Sequence, residues 1–169
     1  MDAPRRNAII AFGANLGDRE ATIAEAAREI GDLGGTVLLS MSPLYESAAV
    51  KLDGVDLDAP EYLNAVALIN TDLPPEALLA ELAGIEQDHG RERHERWGDR
   101  TLDLDIIWMD GVQMETENLT IPHPRAFERS FVVVPWHDVQ PTAVVAPYGA
   151  IADLAEGLRH ELHRFEAVT

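Results

Sequence analysis

Two stretches of helical period, each held between short runs of β-branched and aromatic residues, fix most of what this chain can fold into. Asn7–Gly13 (NAIIAFG) has the composition of a strand and ends at Gly13 and Asn15. Asp18 is placed to cap a helix running to about Asp32, with Ile23, Ala26, Ala27 and Ile30 as its apolar face. Gly34 and Gly35 stop that helix, and Thr36–Tyr45 (TVLLSMSPLY) reads as a second strand interrupted near Pro43. Glu46–Pro60 has no clean period and reads as a loop, and Tyr62–Asn70 (YLNAVALIN) is a third strand. Pro74 and Pro75 open a second helix to about His89, with Leu78, Leu79, Leu82 and Ile85 on one face. Gly90–Asp99 (GRERHERWGD) is charged and aperiodic, a second long loop. Thr101–Met109 (TLDLDIIWM) is a fourth strand, closed by the turn Asp110-Gly111. Phe131–Val134 reads as a further short strand and Ile151–His160 as a terminal helix, which would place His160 and His163 on a solvated surface.

The order is βαββαβ with a C-terminal extension. It implies an α+β, ferredoxin-like antiparallel sheet with helices packed on it, and the whole of 1–169 reads as one domain. That arrangement hosts metal carriers, RNA binders and enzymes alike, so it does not select a chemistry. Composition narrows the choice. With no Cys, disulfide scaffolds, thiolate nucleophiles and Cys-ligated metals are excluded. No apolar run approaches a membrane span and the first residues lack a signal-peptide pattern, so the expectation is a cytoplasmic protein with no membrane partner. A formal charge of −17 argues against nucleic acid. Yet six of the 13 basic residues, Arg91, Arg93, Arg96, Arg100, Arg125 and Arg129, fall within one stretch. A local cationic patch on an anionic chain suits a small polyanion better than a polymer.

Asp103 and Asp105 in RTLDLDII alternate with Leu102, Leu104 and Ile106, so on a strand the two carboxylates share a face about 7 Å apart. Such a pair either faces solvent at a sheet edge or holds a hard cation such as Mg²⁺, which completes its shell with water and phosphate oxygens. The Arg-rich loop leads directly into that strand, and guanidinium forks bind phosphate bidentately. No GxxxxGK(S/T) segment occurs, so a Walker-type phosphate loop is excluded. Tyr62 and Asn64 share a strand face as an aromatic plane beside an amide, a combination that suits the edge of a flat heterocycle or ordinary packing. Phe131 and Trp97 are further candidate planes, and His123 in IPHPR is either a rigid loop element or a donor beside phosphate.

The segments AFGANLGD (Ala11–Asp18), SPLYES (Ser42–Ser47), YLNAV (Tyr62–Val66), RWGDRTLDLDII (Arg96–Ile107) and IPHPRAFERSFVVVP (Ile121–Pro135) resemble those of the 6-hydroxymethyl-7,8-dihydropterin pyrophosphokinase family, nearly end to end. The resemblance implies transfer of pyrophosphate from the co-substrate ATP to the hydroxymethyl oxygen of the pterin, with AMP released. It implies two Mg²⁺ ions on Asp103 and Asp105. It implies catalytic or phosphate-binding roles for Arg91, Arg93, Arg96 and Arg100, and ATP contacts from Trp97, Ile106, Thr120, His123 and Arg129. Ser47, Ala48, Tyr62, Asn64, Trp97 and Phe131 would border the pterin, and other folate-pathway enzymes are expected partners. Three departures stand out: Asp99 where the motif usually has Pro, Ser47-Ala48-Ala49 for a Thr-x-Pro type segment, and a longer, more acidic Lys51–Pro60. The competing readings are a non-catalytic anion-binding domain of the same fold, which would need no Mg²⁺ and form no AMP, and a metal-dependent phosphohydrolase, which would release free phosphate without a pterin.

Overall fold

The computed structural model describes residues 4–15, 18–47, 50–51, 54–55, 62–90 and 102–165. Its strands are β1 (Arg6–Ala14), β2 (Thr36–Met41), β3 (Tyr45–Ser47), β4 (Val50–Lys51), β5 (Gly54–Val55), β6 (Tyr62–Thr71), β7 (Asp103–Met109), β8 (Met114–Glu115), β9 (Thr120–Ile121), β10 (Val144–Val145), β11 (Gly149–Ala150) and β12 (His163–Arg164). Its helices are α1 (Arg19–Gly31), α2 (Pro75–Asp88), α3 (Ser130–Val139) and α4 (Ile151–Leu158). Asp18 caps α1 by accepting from the Ala21 N–H at 3.1 Å, and Pro74 precedes α2 with Pro75 in its first turn.

The main sheet is antiparallel, in the order β12-β3-β6-β1-β7, with β2 also on β6. β2 and β3 lie end to end along β6, β2 opposite Ala67–Thr71 and β3 opposite Tyr62–Asn64. Ser42 carries the ladder across the gap: its N–H donates to Val66 O, and its Oγ accepts from Val66 N, both at 2.9 Å. The interruption expected near Pro43 is therefore real, and a side chain stands in for the missing backbone partner.

Each face of the sheet has its own core. Phe12, Leu63, Ala65, Leu104 and Ile106 face α1 and α2, meeting Ile23, Ile30, Leu78 and Leu82. Ile9, Val66, Ile107 and Tyr45 face the opposite way and meet Val132, Val133, Trp136 and Ile151 of α3 and α4. Strand alternation alone produces this division.

Three expectations are corrected. Phe131–Val134 is the first part of α3 rather than a strand, because that segment lies between the sheet and α4 and is buried on nearly every side. A short β-branched run buried all round carries no period that separates helix from strand. Glu46–Pro60 is not wholly loop: Glu46 and Ser47 belong to β3, and Val50–Lys51 pairs with Gly54–Val55. The terminal helix ends at Leu158, His160 lies in a 3₁₀ turn, and His163 pairs with Glu46 as part of β12, although both histidines are exposed as expected. Among the described residues no helix is long and apolar enough to cross a membrane.

A polar contact ties the second layer to β3. The Tyr45 hydroxyl, on a ring 7% exposed, donates to the Asp138 carboxylate near the end of α3. Burial first, then this hydrogen bond and the carboxylate charge, push the phenol up to about 12. An unfolded Tyr ionises near pH 10 while the folded one keeps its proton. The contact therefore contributes its full stability below about pH 10 and loses it as pH rises toward 12. Tyr45→Phe should lower stability by about 1.5–3 kcal/mol, the range for a hydrogen bond to a charged group. The deficit relative to wild type should shrink in denaturant melts above pH 10; a constant deficit would detach it from the phenol.

Candidate active site

Cross-strand register gathers the candidate residues at one end of the sheet. Ser47 of β3 lies opposite Tyr62 of β6, Tyr45 opposite Asn64, Asn64 opposite Gly13 of β1, and Gly13 opposite Asp103 of β7. Ala11 is opposite Asp105 one step along. Tyr62, Asn64, Gly13, Asp103 and Asp105 all share the parity of Val66 and Ile9, so they occupy the α3–α4 face. Gly13 and Asp103 are half-buried and Asp105 is exposed, so the row is open. A Cβ placed on Gly13 would lie 3.7 Å from the Tyr62 ring, 3.8 Å from Asn64 Oδ1 and 4.0 Å from the Asp103 Cβ. The missing side chain thus leaves a recess between the aromatic–amide pair and the carboxylates.

Asn64 is 4% exposed and its amide is fixed: Nδ2 donates to Ser47 Oγ at 2.7 Å and to the carbonyls of Tyr62 and Tyr45 at 3.2 and 3.4 Å. With Nδ2 so committed, Oδ1 is the side of the amide turned toward Gly13.

On the far side of β7, a cavity of about 270 Å³ is lined by Asp105, Ile106, Leu79, Thr120, His123 and the Thr116–Leu119 turn. The turn is closed by Thr116, whose Oγ1 accepts from Leu119 N and whose N–H donates to Leu119 O. His123 is anchored to β7 through its N–H, which donates to Ile107 O at 2.8 Å. Burial is the largest influence on its imidazole and holds it below the usual 6.5; Asp105 opposes this, and Arg129 and Arg125 reinforce it. Its Nδ1 accepts from the Arg125 N–H at 3.3 Å, so the neutral ring carries its proton on Nε2 and can donate from there. Arg129, at the N-cap of α3, has its guanidinium 5.7 Å from the Phe131 ring centre and is drawn to Asp105. Burial lowers its pKa, yet a guanidinium stays charged at any working pH.

Ser47, Tyr62, Asn64, Asp103 and Asp105 are thus joined by one sheet row, while Ile106, Thr120 and His123 line the cavity with Asp105. Arg129 and Phe131 adjoin at the start of α3. Ala48, Arg91, Arg93, Arg96, Trp97 and Arg100 lie outside the described residues. The sequence reading missed Gly13 as the centre of the row, though its place at the end of a strand, as the first residue of GANLG, was a usable signal. It also missed the Thr116–Leu119 turn, which carries no motif.

On this ferredoxin-like sheet Asp105 and an imidazole line a cavity and Asp103 shares the strand face of Asp105, an arrangement that could hold a cation and a phosphate group. The sequence profile of the family described as 7,8-dihydro-6-hydroxymethylpterin-pyrophosphokinase (HPPK) matches residues 9–141, and the chain belongs to that family. It is 39% identical over 149 residues to the 2-amino-4-hydroxy-6-hydroxymethyldihydropteridine pyrophosphokinase of Haemophilus influenzae, covering 88% of this chain and 91% of that one. The Bacillus subtilis protein of the same name is 38% identical over 132 residues, 78% of this chain and 77% of that one. Among solved structures, Plasmodium falciparum HPPK-DHPS wild type with pteroate matches with a TM-score of 0.71 at 14% identity, which is a likeness of fold. The match covers 99% of this chain and 47% of that one, so this chain spans about half its length. The family's activity is pyrophosphoryl transfer from ATP to hydroxymethyldihydropterin, as the motif resemblance implied.

Proposed function

We infer that the open sheet end is where the protein transfers pyrophosphate from ATP to the hydroxymethyl group of 6-hydroxymethyl-7,8-dihydropterin, giving AMP and the pterin diphosphate in folate biosynthesis. The observation that carries this reading is the row Asn64–Gly13–Asp103, which sets a fixed amide and a carboxylate on either side of a residue without a side chain. The pterin lies on Gly13 with its edge at Asn64 Oδ1, and Tyr62 and Phe131 supply planes for its ring. Ser47 acts by orienting the Asn64 amide; Ala48 and Trp97 complete this side on the strength of their motif positions. The cavity beside β7 takes the nucleoside against Ile106 and Thr120, with His123 Nε2–H and Arg129 directed to phosphate oxygens. Arg91, Arg93, Arg96 and Arg100 precede β7 in the chain and neutralise the triphosphate from there.

Asp103 and Asp105 fit a pair of Mg²⁺ ions. Both are hard oxygen donors on one strand face, and among the described residues no third His, Asp or Glu joins them in a cluster. Two carboxylates are the protein share usual for a cation that keeps water and phosphate oxygens in its shell. When bound, such ions neutralise charge and polarise the oxygens around the β-phosphorus. The protein's own share is positioning and electrostatic stabilisation. Relatives named as bifunctional, among them a folate synthesis bifunctional protein of Arabidopsis thaliana, support contact with another folate-pathway enzyme as a further property of this chain.

Incubation with ATP, Mg²⁺ and hydroxymethyldihydropterin should release AMP only when the pterin is present. Free phosphate without pterin would favour a phosphohydrolase instead, and binding without turnover a regulatory domain. Asn64→Ala should weaken pterin binding by about 1–3 kcal/mol, because a buried edge group loses its partner. Affinity for an ATP analogue should hold; equal losses for both ligands in calorimetry would make Asn64 a purely structural residue.

A further inference from the structure

Glu86, on the last turn of α2, is the one acidic side chain that is buried among the described residues, at 6% exposure. Burying a carboxylate is costly unless hydrogen bonds compensate it, so its partners indicate what it is for. One of its contacts is specific: Oε2 accepts from the backbone N–H of Leu104 at 2.9 Å. Leu104 is the residue between Asp103 and Asp105, and β7 is the end strand of the sheet.

In an antiparallel ladder alternate residues turn their amides to opposite sides of the strand. With the Leu104 N–H directed at Glu86, Asp103 and Asp105 are the residues whose main chain faces β1, at Gly13 and Ala11. Glu86 therefore provides at the open edge the acceptor that another strand would have provided. The Leu104 side chain meanwhile packs into the α1–α2 core. The segment carrying both aspartates is thus held from β1, from the core and from Glu86 at successive residues.

We propose that Glu86 is a positioning residue for the Asp103–Asp105 pair: through the Leu104 amide it fixes the backbone between them, and with it the spacing and direction of the two carboxylates toward a divalent cation. This rests on the reading that those aspartates hold the cation. Partners behind a metal's direct ligands act in the same way, and their loss typically costs about 10–100-fold in metal affinity.

Two near-isosteric variants separate reach from charge. Glu86→Gln keeps an oxygen within reach of the Leu104 N–H but loses the charge; Glu86→Asp keeps the charge but shortens the arm by one methylene. Mn²⁺ would be titrated by water-proton relaxation with a non-hydrolysable ATP analogue present, and exchange of the Leu104 amide followed by NMR. Glu86→Asp should weaken Mn²⁺ binding about tenfold or more and speed Leu104 exchange, while Glu86→Gln stays close to wild type in both. The proposal is overturned if Glu86→Asp leaves Mn²⁺ affinity unchanged, or if Glu86→Gln loses as much as Glu86→Asp. Should Glu86→Asp fail to fold, Glu86→Met, which keeps the length but removes the acceptor, takes its place: it should weaken Mn²⁺ binding about tenfold or more, and unchanged affinity there overturns the role. A residue that only supports the fold would lower the melting temperature without moving the Mn²⁺ titration. Wild-type AMP formation and Mn²⁺ binding test the parent reading separately, so the two can fail independently.

Discussion

Asp103→Asn and Asp105→Asn should each cut pyrophosphoryl transfer by roughly 10²–10³-fold, the scale of removing one electrostatic stabiliser of a transition state. Each change swaps a carboxylate oxygen for an amide of nearly the same shape, so packing is preserved while one negative charge facing the cation is lost. The fold should hold, because Asp105 is exposed and Asp103 half-buried, and the apolar neighbours Leu104 and Ile106 that anchor β7 are untouched. Removing one of two like charges at adjacent same-face positions even relieves repulsion. Steady-state rates over a Mg²⁺ titration, alongside unfolding midpoints, check both halves. Near wild-type turnover at saturating Mg²⁺ in either variant would remove that aspartate from the metal site.

The sequence disclosed the parts of this site that depend on strand parity and little that depends on which strands are neighbours. Asp103 and Asp105 could be placed on one face because alternation is a local property. That Asn64 and Asp103 flank Gly13 depends on pairings between segments about 50 and 90 residues from β1, and no local pattern encodes register. Phe131 stood out as a candidate aromatic by its motif, yet its element was not legible: Val132, Val133 and Val134 favour a strand by propensity, and burial between sheet and α4 made a helix of them. α4 was legible as a terminal helix, but with α3 read as a strand nothing placed a second helical layer on the other face, since two helices on one face is all that the βαββαβ order requires. Glu86 was hidden for a different reason. On α2 it follows Ile85 as an ordinary charge near a helix end, and only the edge position of β7 turns it inward.

Gly13→Val should move stability and activity in opposite directions. Gly13 is absent from the positive-φ glycines, Gly35, Gly90, Gly111 and Gly149, so its backbone is one that any residue in β1 can adopt. Its first added carbon meets Tyr62, Asn64 and Asp103 only at ordinary contact distances of 3.7–4.0 Å, which leaves room for a Cβ without strain. A β-branched residue there suits the strand and restricts the unfolded chain, so the unfolding midpoint should hold or rise, by up to about 1 kcal/mol. The two methyl groups of Val then extend into the recess between the Tyr62–Asn64 pair and Asp103, where the pterin ring is proposed to lie. Displacing the ring by even an ångström takes its hydroxymethyl oxygen out of line with the β-phosphorus, and turnover should fall by roughly 10²-fold. Gly13→Ala, whose single carbon fills only the bottom of the recess, should fall between Val and wild type. Binding of an ATP analogue should change much less, because the cavity formed by Ile106, Thr120 and His123 lies on the other side of β7. Pterin titrations and chemical denaturation of the three proteins make the comparison. A Gly13→Val enzyme that binds pterin as tightly as wild type would show that the ring does not lie on β1, and would move the acceptor site away from the Asn64–Gly13–Asp103 row.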